Sequence, residues 1–419
     1  MSINETGLAA PAGASAAIAS ARHAERRRAA FRHLVIAVVS FLTLVDLFAT
    51  QAILPSLALH YRVTPAAMGV AVNASTFGMV IAGIAVALLS RHIDRRRGVS
   101  LALALLAIPT VLLANAPDLA TFTALRAVQG LCMSAAFTLT MAYLAESSDG
   151  EEIGAMLAAY ITGNVASNFV GRLMSASIAD MYGLDFNFYA FAGLNLAGAA
   201  IAYAGLNRCT AMGMASTGRG SSLAAWAAHA RNLPLVAAFA IGFLILFAFI
   251  GTFTYVNFVL VAAPLSLSPM ALGFVYFVFL PSMLTTPLAG SAVRRFGVRP
   301  TFWSALGVAA LGLPLLVSPT LGPVLAGLAL VAAGTFFAQA AATGFVGRAA
   351  TSDRGSASGI YLASYYAGGL AGAALLGRVF DGAGWPPTVV GIAIALALAA
   401  VLAAALGPAA PARDAAADR

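Results

Sequence analysis

The sequence predicts an all-α membrane protein in which twelve transmembrane helices form two six-helix, pseudo-symmetric halves. Three observations predict it. Of 419 residues, 61% are hydrophobic and only 9% are charged, whereas a soluble protein carries about 25% charged residues. The apolar residues fall in runs of about 20, the length a helix rising about 1.5 Å per residue needs to cross about 30 Å of hydrocarbon. Sequence features also recur at offsets of 203 and 206 residues. Such a composition excludes a soluble enzyme, a nucleic-acid-binding domain and a disordered chain. The continuous runs exclude an outer-membrane barrel, whose strands alternate apolar and polar residues in segments of about 10.

Taken in order, the apolar runs of the first half are Leu34–Leu57, Ala67–Leu89, Val99–Ala116, Leu119–Leu144, Ile153–Ser175 and Phe186–Leu206. Those of the second half are Leu233–Val261, Met270–Val293, Pro300–Val317, Leu321–Val346, Ser356–Val379 and Trp385–Leu406. Charged residues or Pro/Gly punctuation separate them. The ninth and tenth are the least clearly divided, because Pro314, Pro319 and Pro323 crowd the turn. This divides the chain into a cytoplasmic tail (1–33), an N-terminal half (34–206), a cytoplasmic central loop (207–232), a C-terminal half (233–406) and a second cytoplasmic tail (407–419). The Ala-, Ser- and Arg-rich leading tail looks like a transit peptide, but the run after it is too long for a signal-peptide core and continues into a polytopic pattern.

Orientation follows from the basic residues, which are retained on the cytoplasmic side. All 23 are arginine, and with an inside amino terminus 19 of them fall in cytoplasmic segments, against Arg62 and Arg378 on the other side. Both termini are therefore expected in the cytoplasm. The net charge of +8 reflects this topology rather than a nucleic-acid partner. Cys132 and Cys209 form neither a disulfide framework nor a metal site, and no metal is expected.

Two short basic loops, Arg91–Arg96 and Arg294–Arg299, are 203 residues apart, and Gly171-Arg172 and Gly377-Arg378 are 206 apart. Tyr160 and Gly163 fall opposite Tyr366 and Gly369. A parallel repeat of this kind encloses a midplane cavity and works by rocking one half against the other.

The fourth run reads Leu125-Arg126-Ala127-Val128-Gln129-Gly130, and the fifth places Gly154 and Gly163 ahead of Gly171-Arg172. With these motifs the chain resembles the major facilitator superfamily along essentially all of its length after the leading tail. Gly154 and Gly163 look like the start of the fifth-helix motif of drug:proton antiporters, although Ser167-Asn168 and Gly171-Arg172 depart from its usual Gly-Pro and Gly-Gly. With Tyr361-Leu362-Ala363-Ser364-Tyr365-Tyr366, the pattern looks most like the bacterial inner-membrane subgroup associated with acriflavine sensitivity. The resemblance implies a multi-pass protein of the bacterial inner membrane. In the loop after the second run, Arg91 takes the place of the family's Asp and Asp94 that of its Gly, so the family's gating contacts do not transfer. Glu146 remains able to pair with Arg91 or Arg95 as a latch, against a purely topogenic role for these arginines. Gly154, Gly163 and Gly171 complete the gating candidates, through close helix approach and sliding.

Asp46 is the one carboxylate near the middle of a run, a position that costs about 2.5–3.5 kcal/mol on insertion scales. A carboxyl that alternates between an apolar site and a cation can load and release a proton, so Asp46 and Arg126 are the proton-coupling candidates. The competing reading for Asp46 is a helix–helix hydrogen bond or a fixed ion pair with Arg126. Gln129 shares roughly the face of Arg126. Gln51, Gln129, Asn164 and Arg172 are the polar substrate-binding candidates; amides such as Asn73 and Asn168 fit helix–helix hydrogen bonding, and snorkelling to the interface accounts for Arg172 and Arg378. The second half places no charge within a run but carries Phe253, Tyr255, Asn257 and Tyr276, an aromatic wall suited to amphipathic substrates. Pro281 and Pro287 mark kink sites in the eighth run.

These residues lead to a proton-coupled secondary transporter that exports small lipophilic or amphipathic compounds by alternating access. It is expected to act as a monomer in the bilayer, with the proton gradient as energy source and no cofactor. A carrier of a small metabolite or organic anion is the alternative, and a membrane receptor or sensor is the rival from another class. No histidine falls within a run to build an intramembrane hydrolase, and no GxxxxGK loop is present for ATP. The topology is tested with the native thiols: a membrane-impermeant maleimide is expected to label Cys209 in inverted membrane vesicles and not in intact spheroplasts.

Overall fold

A computed structural model describes residues 12–89, 93–146, 150–207, 229–350 and 354–407, and all regular structure among them is helical. The first span is the helix Ala12–Ala52, which extends back into the segment read as a tail. It breaks at Ile53 and resumes as Leu54–Tyr61 with Pro55 in its first turn, where the ring's missing N–H costs no hydrogen bond. Spans two to four are Pro65–Leu89, Arg95–Leu113 and Leu119–Glu146. Asp94 caps the third, accepting the Arg97 N–H at 2.8 Å. Asp118 caps the fourth, and the Thr121 N–H at 2.7 Å holds its carboxyl below the ordinary range. Spans five to seven are Gly150–Tyr182, Leu184–Gly205 and Leu233–Val261.

Span eight, Pro269–Phe296, is one apolar stretch but not one helix. It tightens to 3-10 geometry at Tyr276–Phe279 and at Thr286–Leu288. The second of these contains Pro287, and the first directly precedes the turn holding Pro281. Each proline leaves a carbonyl on the previous turn without its donor, and the tighter turns accommodate the loss. Span nine runs from Val298 to Gly312 and ends in a 3-10 turn, Leu313–Val317, around Pro314. Leu321–Ala349, Arg354–Ala383 and Trp385–Ala403 complete the twelve. Eleven spans are long and apolar enough to cross a membrane by composition alone. The other, Gly150–Tyr182, carries Asn164, Ser167, Asn168, Arg172 and Ser175.

Helix pairing repeats six spans later. Span one lies along span five as seven lies along eleven, three meets four and six as nine meets ten and twelve, and two pairs with four as eight pairs with ten. The halves meet where two lies against eleven and five against eight. Apolar stripes at helical spacing face outward, such as Leu101, Leu105, Ile108 and Leu112 on span three and Val390, Ile394, Leu398 and Val401 on span twelve. Lipid is the solvent such stripes require.

Between apolar helices in lipid the hydrophobic effect supplies no net attraction, so close van der Waals contact holds them. A Cβ on Gly130 would strike the Ser75 carbonyl, and one on Gly78 the Ala127 carbonyl, so spans two and four touch backbone to backbone. Gly163 lies in the same way against the Ala37 carbonyl, and Gly368 against that of Phe243. Gly171 sits 2.7 Å from Val45 by the same measure. Gly130→Ala is expected to destabilise the purified protein by about 1–3 kcal/mol through overpacking, seen as a lower unfolding temperature in detergent. Gly193→Ala, where the added methyl meets nothing within 4 Å, is expected to leave that temperature unchanged.

Candidate functional site

Asp46 lies inside the N-terminal bundle, on the side of span one that faces spans three, four and six, and is 3% exposed. Its Oδ1 has one neighbouring donor, the Thr110 hydroxyl at 3.4 Å, and that hydroxyl is closer to the Leu106 carbonyl, at 2.7 Å. The Thr110 oxygen in turn accepts from Gln129 Nε2 at 2.7 Å and Asn195 Nδ2 at 3.3 Å. A hydroxyl has a single proton to give, and here the Leu106 carbonyl takes it. Asp46 Oδ2 is buried with no hydrogen-bond partner among the described residues, as is Oδ1 of Asn195. Asn195 stands within interaction range of the Asp46 carboxyl.

Arg126 is fully buried, at 0% exposure. It donates to the main-chain carbonyls of Val72 at 3.0 Å and Asp46 at 3.2 Å, to Gln129 Oε1 at 2.5 Å and to Ser75 Oγ at 3.2 Å. The guanidinium thus reaches Asp46 through its backbone, and none of these bonds goes to the carboxylate. The fixed ion pair weighed from sequence is not what this state contains. Both residues lie within one half, and neither is among the residues that line the two hollows between the halves.

Arg172 departs further from expectation. Snorkelling to the interface predicts an exposed head, yet Arg172 is 0% exposed and points between the halves. It donates to Asn168 Oδ1 at 2.7 Å and to Gln51 Oε1, while its Nε has no partner. Three rings surround the guanidinium: Tyr276 at 4.3 Å, Phe279 at 4.8 Å and Phe48 at 5.1 Å. Desolvating a cation costs several kcal/mol, and a ring face returns about 2 kcal/mol when it too is desolvated. Span eight can offer Tyr276 and Phe279 together because the 3-10 turn, with three residues per turn, eclipses positions three apart. Arg378, by contrast, is exposed.

The remaining candidates fall into two groups. At the side opposite the termini, Asn257 donates to the Gln51 carbonyl at 3.1 Å and accepts from the Tyr276 hydroxyl at 2.7 Å. Asn73 accepts from Gln51 at 3.1 Å and donates to Thr254 at 3.2 Å, and the Ala66 N–H donates to Asp381 at 3.1 Å. Tyr255 donates to the Ala373 carbonyl and wedges its hydroxyl against Gly69 and Gly377, and Phe253 stacks within a Phe249–Phe279 cluster. These contacts join the halves on that side. Asn164 alone of the substrate candidates lines a cavity among the described residues.

That cavity, about 110 Å³, lies at mid-depth between the halves and is walled by Phe48, Phe137, Phe249, Phe336 and Tyr366, with Asn164, Asn168 and Gln339 as polar points. A second hollow of about 300 Å³ shares Phe137, Leu362 and Tyr366 with it and continues toward the side of the termini, past Met141 and Val346. A separate hollow of about 200 Å³, lined by Ala52, Pro55, Ala179, Asp180, Val261 and Leu272, lies on the side opposite the termini, where the hydrogen bonds above bridge the halves. Of the gating candidates, Arg91 lies outside the described residues, as do the side chain of Glu146 and the surroundings of Gly154. Arg95 is buried and donates to the Ile93 carbonyl at 3.4 Å, and Asp94 is the cap of span three. Thr110, Asn195, Phe48 and Phe336 were not picked out from sequence; an uncharged threonine or phenylalanine inside a span carries no signal that separates it from its neighbours.

Similarity to known proteins covers most of the chain. The family model described as Major Facilitator Superfamily matches residues 36–280 and 243–418. The inner membrane transport protein YnfM of Escherichia coli is 28% identical over 357 residues, 85% of this chain and 86% of the relative. An uncharacterized MFS-type transporter, YybF of Bacillus subtilis, is 24% identical over 359 residues, 85% of this chain and 88% of its own length. Among solved structures, a mutant of the nucleoside transporter NupG superposes with a TM-score of 0.69 at 14% identity, covering 90% of this chain and 98% of that one. A bacterial homologue of the human lysosomal transporter Spinster, inward-facing and unoccupied, gives 0.67 at 12% identity, covering 90% and 95%.

Asn257→Ala removes the two hydrogen bonds that tie span seven to Gln51 and Tyr276. Only the bond to Gln51 crosses between the halves, and at about 0.6 kcal/mol in a membrane its loss is expected to shift the balance of states about two- to threefold toward opening on the side opposite the termini. Distances between spin labels placed on that side of the two halves should lengthen, with Gly193→Ala as the unchanged control.

Proposed function

Because the chain belongs to the Major Facilitator Superfamily, and is accordingly a membrane transporter, we propose that it exchanges protons for small amphipathic compounds and exports them by alternating access. Asp46 is the proton carrier in this reading. The observation that carries it is Asp46 Oδ2, a buried carboxylate oxygen with no hydrogen-bond partner among the described residues, beside an Arg126 guanidinium that bonds the main-chain carbonyl of the same residue. A proton on Oδ2 neutralises a carboxylate that the apolar site solvates poorly. An unpaired buried acceptor costs about 1–3 kcal/mol, so the cluster favours the loaded form. Loss of the proton creates a charge that the Arg126 guanidinium, already on the Asp46 carbonyl, is placed to neutralise. Moving that guanidinium disturbs its bonds to Val72 and Ser75 on span two. Span two lies against span eleven of the other half, so the titration has a mechanical route to the interface.

The aromatic wall of the two hollows supports an amphipathic cargo, since ring faces and methionines adapt to apolar shapes and the amides fix orientation. The 19 inner arginines support a bacterial inner membrane location with both termini cytoplasmic, in which the hollow of about 300 Å³ lies toward the inner side. The mid-depth cavity is lined by spans of both halves of one chain, which supports a monomer.

Proteoliposomes loaded with a panel of amphipathic fluorescent dyes provide the test. Wild-type efflux is expected to rise about tenfold under an imposed pH gradient, a change of about 1.4 kcal/mol in driving interaction, and Asp46→Asn is expected to lose that response. Efflux that ignores the gradient, or an Asp46→Asn protein that still follows it, overturns proton coupling.

A further inference from the structure

We propose that Arg172 is the anion-recognition point of the transport cavity, so that the cargo is an amphipathic organic anion with a carboxylate or similar head and an aromatic or alkyl body. The inference rests on the transport reading of the cavity and assigns its substrate class. Asn168 and Phe48 both line the mid-depth cavity and both touch the guanidinium, which therefore lies directly behind the cavity wall. Its partners are two neutral amides and three rings, none of them a carboxylate, and its Nε is buried with nothing to bond. Arg126, the other fully buried arginine, meets four acceptors including two main-chain carbonyls, whereas Arg172 meets two. Here the forked donor face is met only by side-chain amides, which an incoming carboxylate can replace with stronger, charge-assisted bonds.

The geometry also discriminates by charge. The faces of Phe48, Tyr276 and Phe279 that would attract a cationic head are already taken by the chain's own cation, so an ammonium placed there meets like charge. The rest of the cavity wall, Phe137, Phe249, Phe336 and Tyr366, presents apolar surface for the body of the cargo. Arg172 bonds to span one and lies over rings of span eight, which belong to different halves. Drawing its guanidinium toward an anion in the cavity releases Gln51, whose carbonyl is held by Asn257 of the C-terminal half. Cargo binding thereby loosens the contacts on the side opposite the termini.

The test is equilibrium binding to the purified full chain in detergent at fixed pH, with no gradient, using 4-phenylbutyrate, its amide and 4-phenylbutylamine. The wild type is expected to bind the carboxylate at least about tenfold more tightly than the amide, and the amine most weakly. Arg172→Gln is expected to erase the preference. Asn168→Ala, which removes a competing acceptor and keeps the charge, is expected to raise it several-fold. Gly193→Ala, whose added methyl meets nothing within 4 Å, is expected to keep it, and because binding is read here at fixed pH without a gradient, a failure of proton coupling in liposomes and a failure of anion selectivity are separate results. Equal binding of the three probes by the wild type, tighter binding of the amine, or a preference that survives Arg172→Gln overturns the proposal.

Discussion

A charge buried in the membrane has no water to solvate it, and the protein must supply every partner. In this chain that requirement organises the N-terminal half. Arg126 fills its donors with the main-chain carbonyls of Val72 and Asp46 and the side chains of Ser75 and Gln129. One guanidinium thus binds spans one, two and four. Backbone carbonyls in a helix keep a second lone pair free after their helical bond, which lets a cation dock on them without unwinding the chain. The close approach of spans two and four at Gly78 and Gly130 brings the Val72 and Ser75 turn within reach. Glycine contact and arginine docking therefore depend on each other.

The C-terminal half meets the same solvent with almost no buried charge. It relies on glycine against carbonyl, as at Gly368 and Gly372 on span eleven, and on tilted and edge-to-face rings around Phe249, Phe279 and Phe336. The two halves share an architecture and divide the chemistry. Their meeting surface uses both styles: amides and hydroxyls from Gln51, Asn73, Thr254 and Asn257, and a cation held by rings at Arg172. Hydrogen bonds of this kind are modest in membranes, about 0.6 kcal/mol each, so a few of them can hold a state and still be exchanged during a cycle.

Much of the architecture was legible from the residues. Apolar run length located the spans, and the recurrence of Tyr160 and Gly163 as Tyr366 and Gly369 pointed to the repeat that the helix pairing displays. Pro281 and Pro287 marked where span eight loses regular helix. The neighbourhood of Asp46 and Arg126 was legible because charges inside apolar runs are few and each demands a partner. What was not legible was the identity of those partners. Thr110 and Asn195 complete the aspartate's surroundings from spans three and six, and Arg172 turned inward to three rings when its position near a helix end suggested the interface.

Hydropathy, run length and charge placement are properties of the chain read locally, and they add up residue by residue; they determined a twelve-span membrane protein, its two halves and the scarcity of its buried charges. Which atom meets which depends on how far each helix rotates and how closely two backbones approach, and that is set jointly by many side chains on different spans. Only the tertiary structure could therefore place Arg126 on a carbonyl rather than a carboxylate, leave Asp46 Oδ2 without a donor, and set Arg172 behind the cavity wall.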